Sequence, residues 1–215
     1  VMRPLNAARA RGADFSTAPC SETGELDPGD IASLIRPDTR LIVMTHASNV
    51  TGTIMPLAEV ASIARERGIP LCIDAAQTAG VIPIGMEAMD IGLLAFTGHK
   101  SLYGPQGTGG LVLGEGYGRM IEPLMYGGTG SRSEFEVQPD FLPDKFESGT
   151  PNTIGIAGLG AGIDFIDRTG MDAIRAHEKD LTARLLDGLG SIDGVRIFGP
   201  CDPERQTAVV SFILE

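Results

Sequence analysis

The stretch that decides the fold runs from Leu41 to Gln77, LIVMTHASNVTGTIMPLAEVASIARERGIPLCIDAAQ. It opens with the short apolar run Leu41–Thr45, which reads as a buried strand. The polar, turn-rich segment His46–Gly52 follows. Pro56 suits the first turn of a helix, where its missing N–H would have had no partner anyway. Leu57, Val60, Ala61 and Ala64 then recur at the spacing of one helical face, through about Arg67. Gly68 stops that helix, and Pro70–Ile73 reads as a second buried strand that ends at Asp74. A strand, a helix and a strand of these lengths make a βαβ unit, whose strands run parallel with a right-handed crossover. The expected class is α/β, with a mostly parallel central sheet and flanking helices.

Working outward, Gly92–Phe96 reads as a third buried strand ending in Thr97–Lys100, and Gly110–Leu113 as a fourth, its hairpin partner or neighbour. Residues 114–149 are rich in Gly, Pro and charge and read as long loops with short helical pieces; irregular stretches of that length are usually functional. Ile154–Arg168 reads as a helix despite its glycines. Asp172–Leu189 is a second, amphipathic one, with Ile174, Leu181, Leu185 and Leu186 as its apolar residues. Val195–Phe198 and Ala208–Leu214 read as strands of a different layer, and Met2–Ala10 as a helix at the start. The organisation expected is a large domain over residues 1–168, then a linking helix and the start of a smaller α+β domain over residues 169–215. Both are expected to be incomplete, because the chain starts inside a helix and stops directly after a strand.

The composition narrows the function classes. Apolar residues make up 42% of the 215, which suits a packed core, and no apolar run nears the ~18 residues of a spanning helix. The formal net charge is −11 and the basic residues form no stripe, so neither a nucleic-acid nor a membrane partner is expected. A cytoplasmic location is the expectation. Cys20, Cys72 and Cys201 lie far apart, without metal-ligand spacing, and no metal site is expected. Cys72, inside an apolar run, reads as a small buried hydrophobe.

Lysine usage is more pointed. Lys100, Lys145 and Lys179 are the only lysines among 17 basic residues. Lys179 sits in a helical pattern, where a solvated face is expected, and Lys145 in a polar, proline-flanked loop. Lys100 alone follows an apolar strand and precedes a glycine-rich loop. Three polar clusters end the three consecutive strands: His46–Asn49, Asp74–Gln77 and Thr97–Lys100. Ligands of open α/β sheets bind outside the carboxyl ends of the strands, so these clusters should converge.

That set matches what pyridoxal 5'-phosphate needs. Its aldehyde needs a lysine amine for a Schiff base, which Lys100 offers. Its pyridine nitrogen needs a carboxylate, which Asp74 offers. Gln77 can reach the ring oxygen, and Thr97 and His99 can bond the phosphate. Each residue alone has a plainer explanation: an Asp at a turn, a solvated Lys, a hydrogen-bonded structural His46 or His99. The ordered combination carries the assignment. Other phosphate sites fit worse. A Walker A loop needs Gly immediately before its Lys, where His99 stands, and Gly158 and Gly160 are followed by Ile163 where a dinucleotide fingerprint needs a third glycine.

The segments THASNVTG (Thr45–Gly52), DAAQTAG (Asp74–Gly80), TGHKSLYGPQGTGGL (Thr97–Leu111) and FESGTPN (Phe146–Asn152) resemble those of class V aminotransferase-fold enzymes, most closely the cysteine desulfurase and selenocysteine lyase group. The resemblance implies the pyridoxal-phosphate-dependent transferase fold of the aspartate aminotransferase type. It also implies roles: Lys100 as Schiff-base lysine and α-proton base, Asp74 on the pyridine nitrogen, Gln77 on the ring oxygen, and Thr97 and His99 on the phosphate, His99 also counted with the catalytic groups. Asn49 would lie near the ring oxygen and substrate carboxylate. Thr150 would reach the phosphate of a neighbouring subunit, which implies a homodimer with composite sites. The implied reaction takes sulfur from L-cysteine or a related amino acid, leaving alanine and an enzyme persulfide that passes sulfur to an acceptor protein. Transamination, selenocysteine lysis or a non-catalytic relative are the alternatives. The family's sulfur-accepting cysteine and carboxylate-binding arginine are expected beyond Glu215, and part of the phosphate cradle before Val1. None of the three cysteines here stands in matching context, so these 215 residues alone are expected to be inactive.

Overall fold

A computed structural model describes residues 1–132 and 134–215. Its centre is a four-stranded sheet of β1 (Ile42–Thr45), β2 (Leu71–Asp74), β3 (Leu93–Thr97) and β4 (Gly109–Leu113), in that spatial order. The first three run parallel, and β4 is antiparallel to β3. β4 is thus a neighbour of β3 reached through the loop 98–108 rather than by a tight turn. The α/β class and the mostly parallel sheet hold.

One face of the sheet is packed. Helix α3 (Leu57–Glu66) joins β1 to β2 and buries Leu57, Val60, Ala61 and Ala64, the four residues whose spacing predicts it. They meet Ile42, Met44, Leu71, Ile73 and Leu94 from the strands, with Leu26 and Ile31 at the margin. Two helices escaped the sequence pattern. The first, α2 (Pro28–Leu34), has Asp27 accepting from the Gly29 N–H (2.8 Å) and Pro28 in its first turn, both local helix-start signals. The second, α4 (Met86–Met89), is a single turn too short for periodicity to reveal. Helix α1 spans Met2–Arg9.

Residues 114–149 form loops with one 3-10 turn, Tyr117–Arg119, among the described residues. Within them Lys145 departs from its expected setting. It is buried, and its Nζ donates to the Gly118 carbonyl at 3.0 Å, tying two parts of the long loop together. Helix α5 (Thr153–Thr169) starts where the Asn152 side chain accepts from the Gly155 N–H (3.0 Å). Its glycines are contact points. A Cβ on Gly162 would lie 2.3 Å from the Leu102 carbonyl oxygen, so α5 sits directly against the loop that follows β3.

Helix α6 (Met171–Gly190) buries Ile174, Thr182, Leu186 and Leu189, whereas Leu181 and Leu185 are half exposed. The buried stripe runs through Thr182, whose hydroxyl donates to the Glu178 carbonyl (2.7 Å) and is thereby satisfied inside the helix. Lys179, expected on a solvated face, pairs with Glu204 at 2.5 Å. Strands β5 (Val195–Phe198) and β6 (Ser211–Leu214) make a separate antiparallel sheet. β6 starts later than expected because Val209 lies in the preceding loop, where its carbonyl accepts from the Gln206 amide (3.1 Å).

Candidate active site

The parallel order of β1, β2 and β3 brings their carboxyl ends to one sheet edge, and with them the three polar clusters. Register then selects a face. Thr45 pairs with Asp74 and Asp74 with Ala95, so these three side chains share one side of the sheet. Thr97, two residues past Ala95, shares it too. This is the side opposite α3, and its strand residues Val43, Thr45, Cys72, Asp74, Leu93, Ala95 and Thr97 are partly exposed. Cys72 is therefore not the buried hydrophobe that its apolar neighbours suggest. It stands half-buried on the face of Asp74, and burial together with the Asp74 charge pushes its thiol pKa up. A thiol held protonated is a poor nucleophile.

Asp74 is half-buried, and among the described residues its carboxylate takes one hydrogen bond, from the Ala76 N–H to Oδ1 at 3.0 Å. The backbone around it is held on both sides: its carbonyl accepts from His46 N–H (2.9 Å), and Ala75 N–H donates to the Ala95 carbonyl (2.8 Å). Gln77, half-buried, lies in the turn that follows. Thr97 Oγ1 and His99 Nδ1 share a hydrogen bond of 3.0 Å at the end of β3. Lys100 is exposed in the adjoining turn, where Tyr103 N–H donates to its carbonyl (2.9 Å). The intervening Gly98 has no room for a side chain, since a Cβ there would lie 2.1 Å from Thr108 Oγ1. Asn49 is exposed at the tip of the turn after β1. Thr150 is exposed just before α5. The clusters of Asn49, of Asp74 and Gln77, and of Thr97, His99 and Lys100 share the strand-end edge. Thr150 comes from the long loop instead.

His46 is a different kind of residue. It is 3% exposed, its Nδ1 and Thr78 Oγ1 share a hydrogen bond of 2.9 Å, and burial lowers its pKa to about 4. It is a neutral structural imidazole that ties the end of β1 to the turn carrying Gln77. Its partner Thr78, fully buried, could not be singled out from the sequence, because nothing local marks a threonine whose partner lies 32 residues away.

The pattern of the Aminotransferase class-V family matches residues 2–215. The chain belongs to that family. Cysteine desulfurases, which share it, and class V aminotransferases in general depend on pyridoxal phosphate. Among the class V relatives, a probable cysteine desulfurase of Methanothermobacter thermautotrophicus is 38% identical over 95% of this chain and 51% of its own length. A cysteine desulfurase of Dickeya dadantii is 37% identical over 96% and 50%. The solved cysteine desulfurase CsdA of Escherichia coli superposes with a TM-score of 0.86 at 29% identity, over 98% of this chain and 52% of that one. The apo cysteine desulfurase of Thermococcus onnurineus NA1 gives 0.83 at 30%, over 99% and 53%. The class V fold expected from the four motifs is thus the fold found, and the chain spans about half the length of the relatives it matches.

The donor set fits the cofactor of the class V enzymes. Asp74 offers a carboxylate with acceptor capacity left after the Ala76 bond, and Thr97 and His99 offer a paired hydroxyl and imidazole for phosphate oxygens. Lys100 offers an accessible amine on the same edge. Among the described residues, no helix is long and apolar enough to cross a membrane.

Proposed function

We propose that the full-length protein is a pyridoxal-phosphate-dependent cysteine desulfurase that converts L-cysteine to alanine and an enzyme persulfide. The observation that carries this reading is the shared strand-end edge, with Asp74 and Thr97 on one face of the sheet and Lys100 in the adjoining turn. The likeness to cysteine desulfurases supports the choice of substrate.

When bound, pyridoxal phosphate supplies an electron-poor ring that takes up negative charge from an amino acid's α-carbon. Lys100 would hold the aldehyde through its amine, and the same amine would carry the proton taken from the α-carbon. Asp74 accepts from the protonated pyridine nitrogen and, by keeping it charged, strengthens the ring's pull on electrons. Gln77 donates to the ring oxygen, Thr97 and His99 to the phosphate. Asn49 contacts the ring oxygen and the substrate carboxylate. Thr150 reaches the phosphate of a second subunit, so the working unit is a homodimer. The exposed Ile154 and Ile156 just after it support a partner surface beside Thr150. A sulfur-acceptor protein completes the cycle. The sulfur-accepting thiol is none of Cys20, Cys72 and Cys201. Residues 169–215 belong to a second unit, a reading supported by the separate sheet of β5 and β6.

Borohydride reduction of the cofactor-loaded protein, followed by peptide mass mapping, is expected to place the adduct on Lys100; an adduct on Lys145 or Lys179 overturns the assignment. Alanine should form from cysteine without a keto acid, and a keto-acid requirement would move the protein to the transaminases. Mixing Thr150→Ala with Lys100→Ala subunits should restore part of the activity, because one of the two sites in the mixed dimer carries neither defect. No recovery despite proven subunit exchange would show that each subunit completes its own site.

A further inference from the structure

Gln206 is 1% exposed, one of the largest fully buried side chains in the described residues, and it stands in a loop rather than in the core. Both ends of its amide are used. Nε2 donates to the Val209 carbonyl at 3.1 Å, and Oε1 accepts from the Asp202 N–H at 3.2 Å, which closes the loop 202–209 on itself. The Arg175 guanidinium fastens that loop to α6, donating to the carbonyls of Pro203 (2.9 Å) and Gln206 (2.8 Å).

The closed loop then grips the turn that follows β1. Thr53 and Gln206 form an antiparallel bridge. Ile54 N–H donates to the Arg205 carbonyl and Thr207 N–H to the Gly52 carbonyl, each at 2.9 Å. Ser211 Oγ donates to the Val50 carbonyl at 2.5 Å. The fit leaves no slack at Gly52, which has φ +75°, and where a Cβ would lie 2.5 Å from the Val209 carbonyl oxygen. On its other side the turn is held by Ser48, whose Oγ accepts from the N–H groups of Val50 and Thr51, both at 3.1 Å. Asn49 sits between Ser48 and Val50, so the residues on either side of it are both fixed.

We propose that Gln206 is a positioning residue for Asn49. It shapes the loop 202–209, that loop braces the turn 48–54, and the turn presents Asn49 at the strand-end edge. An open loop would leave a buried amide without partners and release the brace, so the geometry of a group on one sheet edge is set by a side chain from the far end of the chain. The proposal rests on the reading of Asn49 as a contact of ring oxygen and substrate.

The test uses the full-length, cofactor-loaded protein with Gln206→Met, which keeps side-chain length, Ser211→Ala, which removes only the grip on Val50, Asn49→Ala, and the double variant Gln206→Met with Asn49→Ala. Hydrogen exchange at the amides of residues 51–54 should accelerate about tenfold or more in Gln206→Met and less in Ser211→Ala. KM for cysteine should rise about tenfold in Gln206→Met with kcat nearly kept, and no further when Asn49→Ala is added. Unchanged exchange in Gln206→Met overturns the proposal. So do KM effects of the two substitutions that multiply, because Gln206 then acts by another route. If Asn49→Ala alone moves neither KM nor the cofactor's absorption band, the reading of Asn49 has failed and the proposal falls with it, whereas accelerated exchange would still show the brace itself.

Discussion

The two faces of the central sheet are made by the same few residues in alternation, and they serve opposite ends. In β2, Leu71 and Ile73 point into the packing beneath α3 and are fully buried, while Cys72 and Asp74 point the other way and are half-buried. The packed face is chemically uniform, so its free energy comes from apolar area removed from water, about 25 cal/mol per Å². The open face mixes a carboxylate, a thiol and hydroxyls among apolar neighbours, and its Asp74 and Thr97 stand at the carboxyl ends of their strands, the edge where ligands of such sheets bind. A period of two residues is enough to keep the functions apart, because a strand's side chains cannot change sides without a register slip.

Substitutions at neighbouring positions should therefore diverge, and the largest effect tests the comparison most sharply. Asp74→Ala in the full-length protein is expected to slow turnover about 10²-fold or more, the scale of losing a group that acts in the transition state, while some cofactor stays bound. Unfolding midpoints should move little. Near-normal turnover would transfer the ring-nitrogen role elsewhere and leave the open face without its central residue.

Next in size is Ile73→Ala, one residue away on the packed side. It should destabilise by about 2–5 kcal/mol in denaturant unfolding, through lost apolar transfer and the cavity left behind. The cofactor-lysine linkage at Lys100 should still form at low temperature. A small loss of stability would show that the packed face is less tightly built than its burial implies.

His46 adds a pH dimension. Its folded pKa, about 4, lies below the ordinary histidine value of 6.5 because burial disfavours the charged ring. The stability it contributes is present above pH 6.5 and is lost as pH falls through 4, since the unfolded chain takes up the proton first. The loss should be on the order of 3 kcal/mol across that window. His46→Gln should flatten the slope. A wild-type slope unchanged by that substitution would assign the acid sensitivity to other groups.

The smallest effect is expected at Cys72→Ala. Truncating a half-buried cysteine to alanine should cost under about 1 kcal/mol. Because its thiol is held protonated, alanine formation should also persist. Loss of sulfur transfer in this variant would make Cys72 the sulfur acceptor and reverse its exclusion.

Much of this architecture can be read from a single sequence because its signals are local. Leu57, Val60, Ala61 and Ala64 declare a helix face by spacing alone, and three apolar runs, each ending in a polar cluster, declare parallel strands with their carboxyl ends together. Lys100, Asp74 and Gln77 stand out for the same reason: each lies at a fixed offset from a strand end. What no window of sequence contains is the partner of a side chain. That Cys72 shares a face with Asp74 follows from strand alternation, but which face stays open depends on where α3 packs. Thr78 becomes visible only when β1 brings His46 beside it, and Lys145 becomes a buried strut only when Gly118 folds back over it. Gln206 reads as one more polar loop residue until the chain returns across more than 150 positions to meet Gly52 and Val50. Periodicity and turn chemistry act between near neighbours, so the sequence by itself settles elements and the residues at their ends. Burial and hydrogen-bond pairing are set by long-range packing, so the tertiary structure alone decided which of those polar residues brace the fold and which stay exposed at the strand ends.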